Sequence, residues 1–178
     1  MTETTVVEGE SVALRPVERD DATLLQRSTT DPEIRVPLGA PAPQNHHQAT
    51  EFIEQTVEES DNIAFVAEVD GEAIGFVMAE IRDYGRPELV YWLLPEYHGQ
   101  GYGTDAVECL VDYLFRTVEC HGLQAVTFAF NDASRGVLER LGFVKEGRLR
   151  EAAFVDGSYE DVLRFGLLRS EWEESRSD

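Results

Sequence analysis

Gly99, Gly101 and Gly103 fall at alternate positions in the stretch Tyr97-His98-Gly99-Gln100-Gly101-Tyr102-Gly103-Thr104. Glycines so spaced leave one face of a turn without side chains, and its backbone N–H groups can then converge on an anion. The run Leu89-Val90-Tyr91-Trp92-Leu93-Leu94, closed by Pro95, precedes the turn and reads as a strand. After it, Ala106, Val107, Leu110, Val111, Leu114, Phe115 and Val118 follow at helical spacing. A strand, a glycine turn and a helix N-terminus carrying partial positive charge together suit a phosphate or pyrophosphate. A Walker loop would need a lysine before Thr104, and none is present. A Rossmann loop would accept Ala106, but needs an acidic residue closing the next strand, which ends at Asn131. Taken alone, the turn reads equally well as a tight strand–helix connection.

Other reactive residue types are sparse. Cys109 and Cys120 lie in or at the end of the same helical pattern, three turns apart, too far for a disulfide and without zinc-site spacing. Both read as small buried hydrophobes. His46 and His47 are adjacent and cannot face one metal from a helix, and His121 sits at a helix end, where a dipole interaction accounts for it. No metal is expected.

The charge is extreme. Against 35 acidic residues stand 15 basic ones, of which only Lys145 is lysine, for a net charge of −20. The acidic residues are scattered through apolar periodicity and do not form a disordered tail. Such a surface repels nucleic-acid phosphates and anionic lipid, so neither partner is expected. Its lysine-poor acidity resembles that of proteins from salt-loving organisms, where salt screens self-repulsion. No apolar run reaches membrane-spanning length, and Met1-Thr2-Glu3-Thr4 offers neither a basic region nor a signal core, which predicts a cytoplasmic protein.

The elements that position the turn follow from period and punctuation. Ser11 to Val17 reads as a first strand, and Asp20 or Asp21 opens a helix through Leu24 and Leu25. The segment Asp31 to Pro43 holds four prolines and a glycine, and reads as a long loop that walls a substrate site or simply connects. Asn45 can cap a helix carrying Ala49, Phe52, Ile53, Thr56 and Val57. Asp70-Gly71 joins Ile63–Val69 to Ala73–Ala79 as a hairpin. After the glycine turn and its helix come a strand over 123–130, a helix over 133–141 stopped by Gly142, and strands over 143–154 and 159–168. The expectation is one domain over 1–178 with frayed ends at 1–10 and 171–178. Its fold class is α/β (α+β), a mixed, mostly antiparallel sheet with one β–α–β crossover at the anion turn.

At this point the residues resemble a family, the GNAT N-acetyltransferases, and in particular its RimJ/RimL-type branch. The family's acetyl-CoA signature, Gln/Arg-x-x-Gly-x-Gly/Ala, reads here His98-Gly99-Gln100-Gly101-Tyr102-Gly103; the first position departs and the glycines match. Glu88-Leu89-Val90-Tyr91-Trp92-Leu93 and Pro95-Glu96-Tyr97 match the branch before the turn. Downstream, Asn131-Asp132-Ala133-Ser134 and Leu138-Glu139-Arg140-Leu141-Gly142-Phe143 resemble its second signature. So do Glu146–Arg150, Asp156–Val162, Asp31-Pro32-Glu33 and Leu38-Gly39, so the likeness covers nearly the whole chain in order.

The resemblance implies a twisted sheet of about seven strands and about four helices, splayed between the fourth and fifth strands. It implies acetyl-CoA as co-substrate, with the pyrophosphate on His98, Gly99, Gln100, Gly101, Tyr102, Gly103 and Thr104. The pantetheine would lie along Leu93 and Leu94 like an added strand, and the thioester beside Asn131 and Ser134. The implied reaction is direct acetyl transfer to a neutral primary amine, with a protein or peptide N-terminal amine as the expected acceptor. Glu88 is the candidate base, and Ser134 the candidate donor to the leaving thiolate, because the tyrosine many members use would fall at position 138, which is Leu. Plain readings also exist, Glu88 as a solvated strand-start residue and Asn131 and Ser134 as helix-capping residues. A small amine such as an antibiotic, polyamine or amino-acid conjugate is the rival acceptor, and a non-catalytic acyl-CoA-binding or sensing domain the rival class. The C-terminal hairpin could support a homodimer.

Overall fold

The computed structural model describes residues 4–177; Met1, Thr2, Glu3 and Asp178 lie outside the described residues. In chain order the elements are β1 (Val7–Glu8), β2 (Ala13–Pro16), α1 (Ala22–Thr30), α2 (Pro32–Leu38), α3 (His46–Phe52, continuing as a π-helical stretch Ile53–Glu58), β3 (Ile63–Val69) and β4 (Glu72–Glu80). They continue with β5 (Glu88–Leu93), α4 (Tyr102–Thr117), β6 (Gly122–Phe128), α5 (Asp132–Arg140), β7 (Val144–Val155), β8 (Ser158–Leu168) and α6 (Arg169–Ser175). The strands form one sheet in the order β1-β2-β3-β4-β5-β6-β8-β7. Every neighbouring pair is antiparallel except β5–β6, which is parallel and bridged by α4.

The α/β class holds, with differences in count. β1 adds an eighth strand, and α2 and α6 add helices. The ends expected to fray carry β1 and α6; Trp172 of α6 is buried against Phe115, and Arg176 lies over its ring. The expected long loop over 31–43 is a helix in its first half. Asp31 caps it by accepting from the Glu33 N–H at 3.0 Å, and Pro32 takes the first helical position, where a missing N–H costs nothing. Gly39, at φ 68°, closes it in the left-handed conformation. Counting prolines missed that Pro32 sits where a helix tolerates it.

Alternation along the strands builds a core on each face. Leu89 and Leu93 of β5 pack with Ala106, Val107, Leu110 and Leu114 of α4 and Leu138 of α5. Trp92 and Leu94 pack on the other face with Leu25 of α1, Ile34 of α2 and Ala49 of α3. Helices α1–α3 therefore cover one face and α4–α6 the other. Near the sheet's first edge, buried Arg15 lies between two buried carboxylates, Asp21 at 2.8 Å and Glu68 at 2.6 Å. Asp21, expected only to open α1, is also a partner in this group.

Candidate acetyl-transfer site

The site begins where the sheet stops being a sheet. β5 and β6 pair only at Glu88↔Gln124 and Leu89↔Ala125; beyond them the strands run on to Leu93 and Phe128 without pairing. Backbone groups alternate along a strand, and Leu94 donates its N–H to Ile74 of β4. The backbone groups of Tyr91 and Leu93 consequently face the gap, while those of Leu94 do not. The Leu94 carbonyl is also taken, by the Tyr97 N–H at 2.9 Å. Of that pair, Leu93 keeps its backbone N–H on the gap while its carbonyl lies against His98, and both backbone groups of Leu94 are engaged within the protein.

At the head of the gap the chain turns through Gly99 at φ 73° and Gly101 at φ 85°, values that favour glycine. A Cβ on either would meet no atom within 4 Å, so the space over the turn is open. Gly101 caps α4, and the first intrahelical bond comes from the Asp105 N–H to the Gly101 carbonyl. The N–H groups of Tyr102, Gly103 and Thr104 precede it and are left without helical acceptors. An acid in the first turn would oppose an anion there, but the Asp105 carboxylate is turned away. It accepts the N–H groups of Glu10, Ser11 and Val12 at 3.0, 2.6 and 2.8 Å.

His98, which departs from the family signature, places Nε2 2.9 Å from the Leu93 carbonyl oxygen and so joins the turn to the open edge of β5. Gln100 is exposed and donates to the Glu96 carbonyl. Behind the turn, Arg27 of α1 binds Glu96 at 3.0 Å and Asp31 at 2.9 Å, tying α1, the cap of α2 and the approach to the turn together. The Arg27 guanidinium holds both carboxyls below the usual carboxylate range.

Asn131 and Ser134 lie together at the start of α5, and Asn131 Oδ1 accepts the Ser134 N–H at 3.1 Å, so Asn131 is a helix cap. The Ser134 hydroxyl meets a residue that sequence reasoning left out. Tyr91 Oη is 2.8 Å from Ser134 Oγ and 3.3 Å from the Ser134 carbonyl oxygen. Tyr91 is half-buried, and its desolvation pushes the phenol up to about 12 despite the bond to Ser134. The available signal was the absence of a tyrosine at position 138 together with one on the strand that faces α5. A second omission is Thr127 of β6, buried with its Oγ1 lacking a hydrogen-bond partner among the described residues. Extending the β5–β6 register places Thr127 opposite Tyr91 across the gap.

Glu88 does not join this group. Alternation puts it on the face of Val90 and Trp92, covered by α1–α3, whereas Tyr91 packs against the α4–α6 side. Its carboxylate accepts from Arg82 at 3.1 Å and from Gln124 at 3.1 Å. Cys109 is distant from any such chemistry: burial, with Asp105, Glu108 and Asp112 adding to it, pushes its thiol up to about 12.

The sequence pattern of the acetyltransferase (GNAT) domain family matches residues 11–144. The chain belongs to the GNAT acetyltransferase family. It is 33% identical over 106 residues to the putative ribosomal N-acetyltransferase YdaF of Bacillus subtilis, a match spanning 58% of each chain. Mycobacterium smegmatis RimJ in complex with CoA-disulfide superposes with a TM-score of 0.75 at 26% identity, over 90% of this chain and 83% of that one. The spermidine N-acetyltransferase from Vibrio cholerae in complex with CoA and spermine gives a TM-score of 0.85 at 25% identity, over 92% and 98%. This GNAT protein is thus an N-acetyltransferase with acetyl-CoA as donor. The open turn over Gly99 and Gly101, the edge of β5 unpaired with β6 at Tyr91 and the Leu93 N–H, and the Thr127 hydroxyl, without a partner among the described residues, all suit a phosphorylated, amide-bearing chain. Among the described residues no group of His, Cys, Asp and Glu could hold a metal ion, and no helix is long and apolar enough to cross a membrane.

Proposed function

We propose that this single domain acetylates the N-terminal α-amine of a protein or peptide in the cytoplasm. The pyrophosphate of acetyl-CoA rests on the amides from Gly99 to Thr104, and its pantetheine arm adds to the edge of β5 at Tyr91 and Leu93. The thioester then reaches the gap between the strands. The amine attacks from the α1–α3 face, the C–N bond forms, the C–S bond breaks, and its electron pair leaves on sulfur toward α5. Glu88 stands on the side of the incoming amine and Ser134 on the side of the leaving sulfur, as an acceptor and a donor of opposite duty should.

The observation that carries the choice of acceptor is the state of Glu88. Both carboxylate oxygens already accept hydrogen bonds, so a proton taken from the amine must compete with Arg82 and Gln124. Such a group suits an amine with a substantial neutral fraction near physiological pH. An α-amine, with a pKa near ~8, needs much less help than an aliphatic amine near ~10.4. The polyamine reading draws on the net charge of −20, which attracts any cationic amine, and on the spermine bound by the Vibrio cholerae relative.

Thiol release from acetyl-CoA, measured in high salt with N-terminal peptides and with spermidine, decides between them. Peptides are expected to give at least about tenfold higher kcat/KM, the scale of one well-placed polar contact. Faster turnover of spermidine overturns the assignment. Ser134→Ala is expected to lower kcat by about tenfold or more while leaving KM for acetyl-CoA nearly unchanged. An unchanged kcat removes Ser134 from its role.

A further inference from the structure

We propose that Tyr91 is a positioning residue that sets the Ser134 hydroxyl toward the leaving sulfur, forming a two-hydroxyl donor chain from β5 to α5. This deepens the proposed reading of Ser134 and rests on it. The position that holds the acidic tyrosine in many members is Leu138 here, fully buried in the core. The phenol that reaches α5 instead comes from the opposite strand of the gap, 43 residues away in sequence.

A short contact joins the two hydroxyls. An O–H donor bonds well at 2.5–3.0 Å. The contact from Tyr91 Oη to Ser134 Oγ falls in that range at 2.8 Å, the approach to the Ser134 carbonyl is longer at 3.3 Å, and either hydroxyl can donate across the shorter one. When Tyr91 donates to Oγ, the serine's own proton is released to point elsewhere. Without the phenol, a serine hydroxyl readily turns to a nearby backbone carbonyl instead. Tyr91 is half-buried against the α4–α6 core, and Ser134, also half-buried, lies in the first turn of α5 beside the gap, so in this proposal Ser134 is the end of the chain that meets sulfur.

Acidity then limits what the chain can do. The phenol, pushed up to about 12 by burial, is a weaker acid than a thiol near ~8.5, and a serine hydroxyl is weaker still. Neither gives its proton away to the thiolate. Both keep their protons and donate hydrogen bonds, and each bond polarises the next. The C–S electron pair comes to rest on sulfur under the Ser134 O–H. The proton shed by the amine nitrogen passes by way of Glu88 to solvent, from which the thiolate is neutralised after release.

A donor chain aimed at sulfur must lower the pKa of bound CoA's thiol, and that is measurable without turnover. CoA is bound to the wild type, Tyr91→Phe, Ser134→Ala and the double variant. Its thiolate is titrated by ultraviolet absorbance, after calorimetry has established binding to each variant. The wild-type complex is expected to titrate below free CoA, with Tyr91→Phe and Ser134→Ala each moving it back up and the double variant no further than Ser134→Ala. In turnover, Tyr91→Phe is expected to lower kcat by about tenfold with KM for acetyl-CoA within about twofold. If Ser134→Ala shifts the thiol and Tyr91→Phe does not, the positioning role fails and the reading of Ser134 stands. If Tyr91→Phe costs more than Ser134→Ala, the order of the chain is reversed and the proposal is overturned. If CoA does not bind the wild type, the underlying site assignment fails with it.

Discussion

Tyr91, Ser134 and Thr127 carry hydroxyls on the two sides of one gap, and they differ in how they are satisfied. Tyr91 and Ser134 satisfy each other, while the buried Thr127 Oγ1 has no hydrogen-bond partner among the described residues. A buried polar atom left unpaired costs about 1–3 kcal/mol, so a protein keeps one where a ligand completes it. Thr127→Val removes the hydroxyl at nearly constant shape. Urea denaturation of the ligand-free protein is expected to show the variant more stable by about 1 kcal/mol. With saturating CoA the advantage should disappear, because the wild-type hydroxyl then finds its partner. A variant less stable than wild type without CoA would mean that Oγ1 is satisfied in the free protein.

The elements around the gap are held by charges from three places. Arg27 on α1 joins Asp31, which caps α2, to Glu96, which leads into the glycine turn. Both carboxyls titrate lower in the folded chain than in the unfolded one, chiefly because of Arg27. Their contribution is therefore complete above the unfolded values of about 3.9 and 4.3, and is lost as the pH falls through the lower folded values. Melting curves collected from pH 6 to pH 3 should show the wild type losing stability more steeply below pH 4 than Arg27→Gln. Parallel curves would mean that the carboxyls draw nothing from Arg27. This junction was only partly legible beforehand. Asp31-Pro32 reads as a helix start once positions are weighed, but the reach of Arg27 to Glu96 crosses 69 residues and leaves no local trace.

At the scale of the molecule, the net charge of −20 opposes both the fold and its donor. Many ion pairs offset part of this repulsion, but most are exposed and weak. Salt shortens the screening length from about 30 Å at 0.01 M to about 3 Å at 1 M. The melting temperature is expected to rise by several degrees over that range. KM for acetyl-CoA should fall over the same range, since a polyanion approaching a polyanion is helped by screening. Backbone amides, not lysines, hold the pyrophosphate in the proposed site, so there is little attraction for salt to weaken. A KM that rises with salt would point to a basic binding surface not described above.

The sequence alone determined the features whose causes are local. Glycines at 99 and 101 impose the positive-φ turn, Asp70-Gly71 and Asp156-Gly157 close two hairpins, and apolar spacing sets α4. Each of these depends on residues a few positions apart, where steric and capping preferences act directly. Tertiary structure alone decided where β5 and β6 part, that Leu94 turns its backbone to β4, and that Glu88 and Ser134 stand on opposite faces. It also decided that the Tyr91 phenol meets the Ser134 hydroxyl at the start of α5. Those facts depend on register and on which side of a strand meets which helix. Packing across the whole sheet sets both, and no window along the chain contains them.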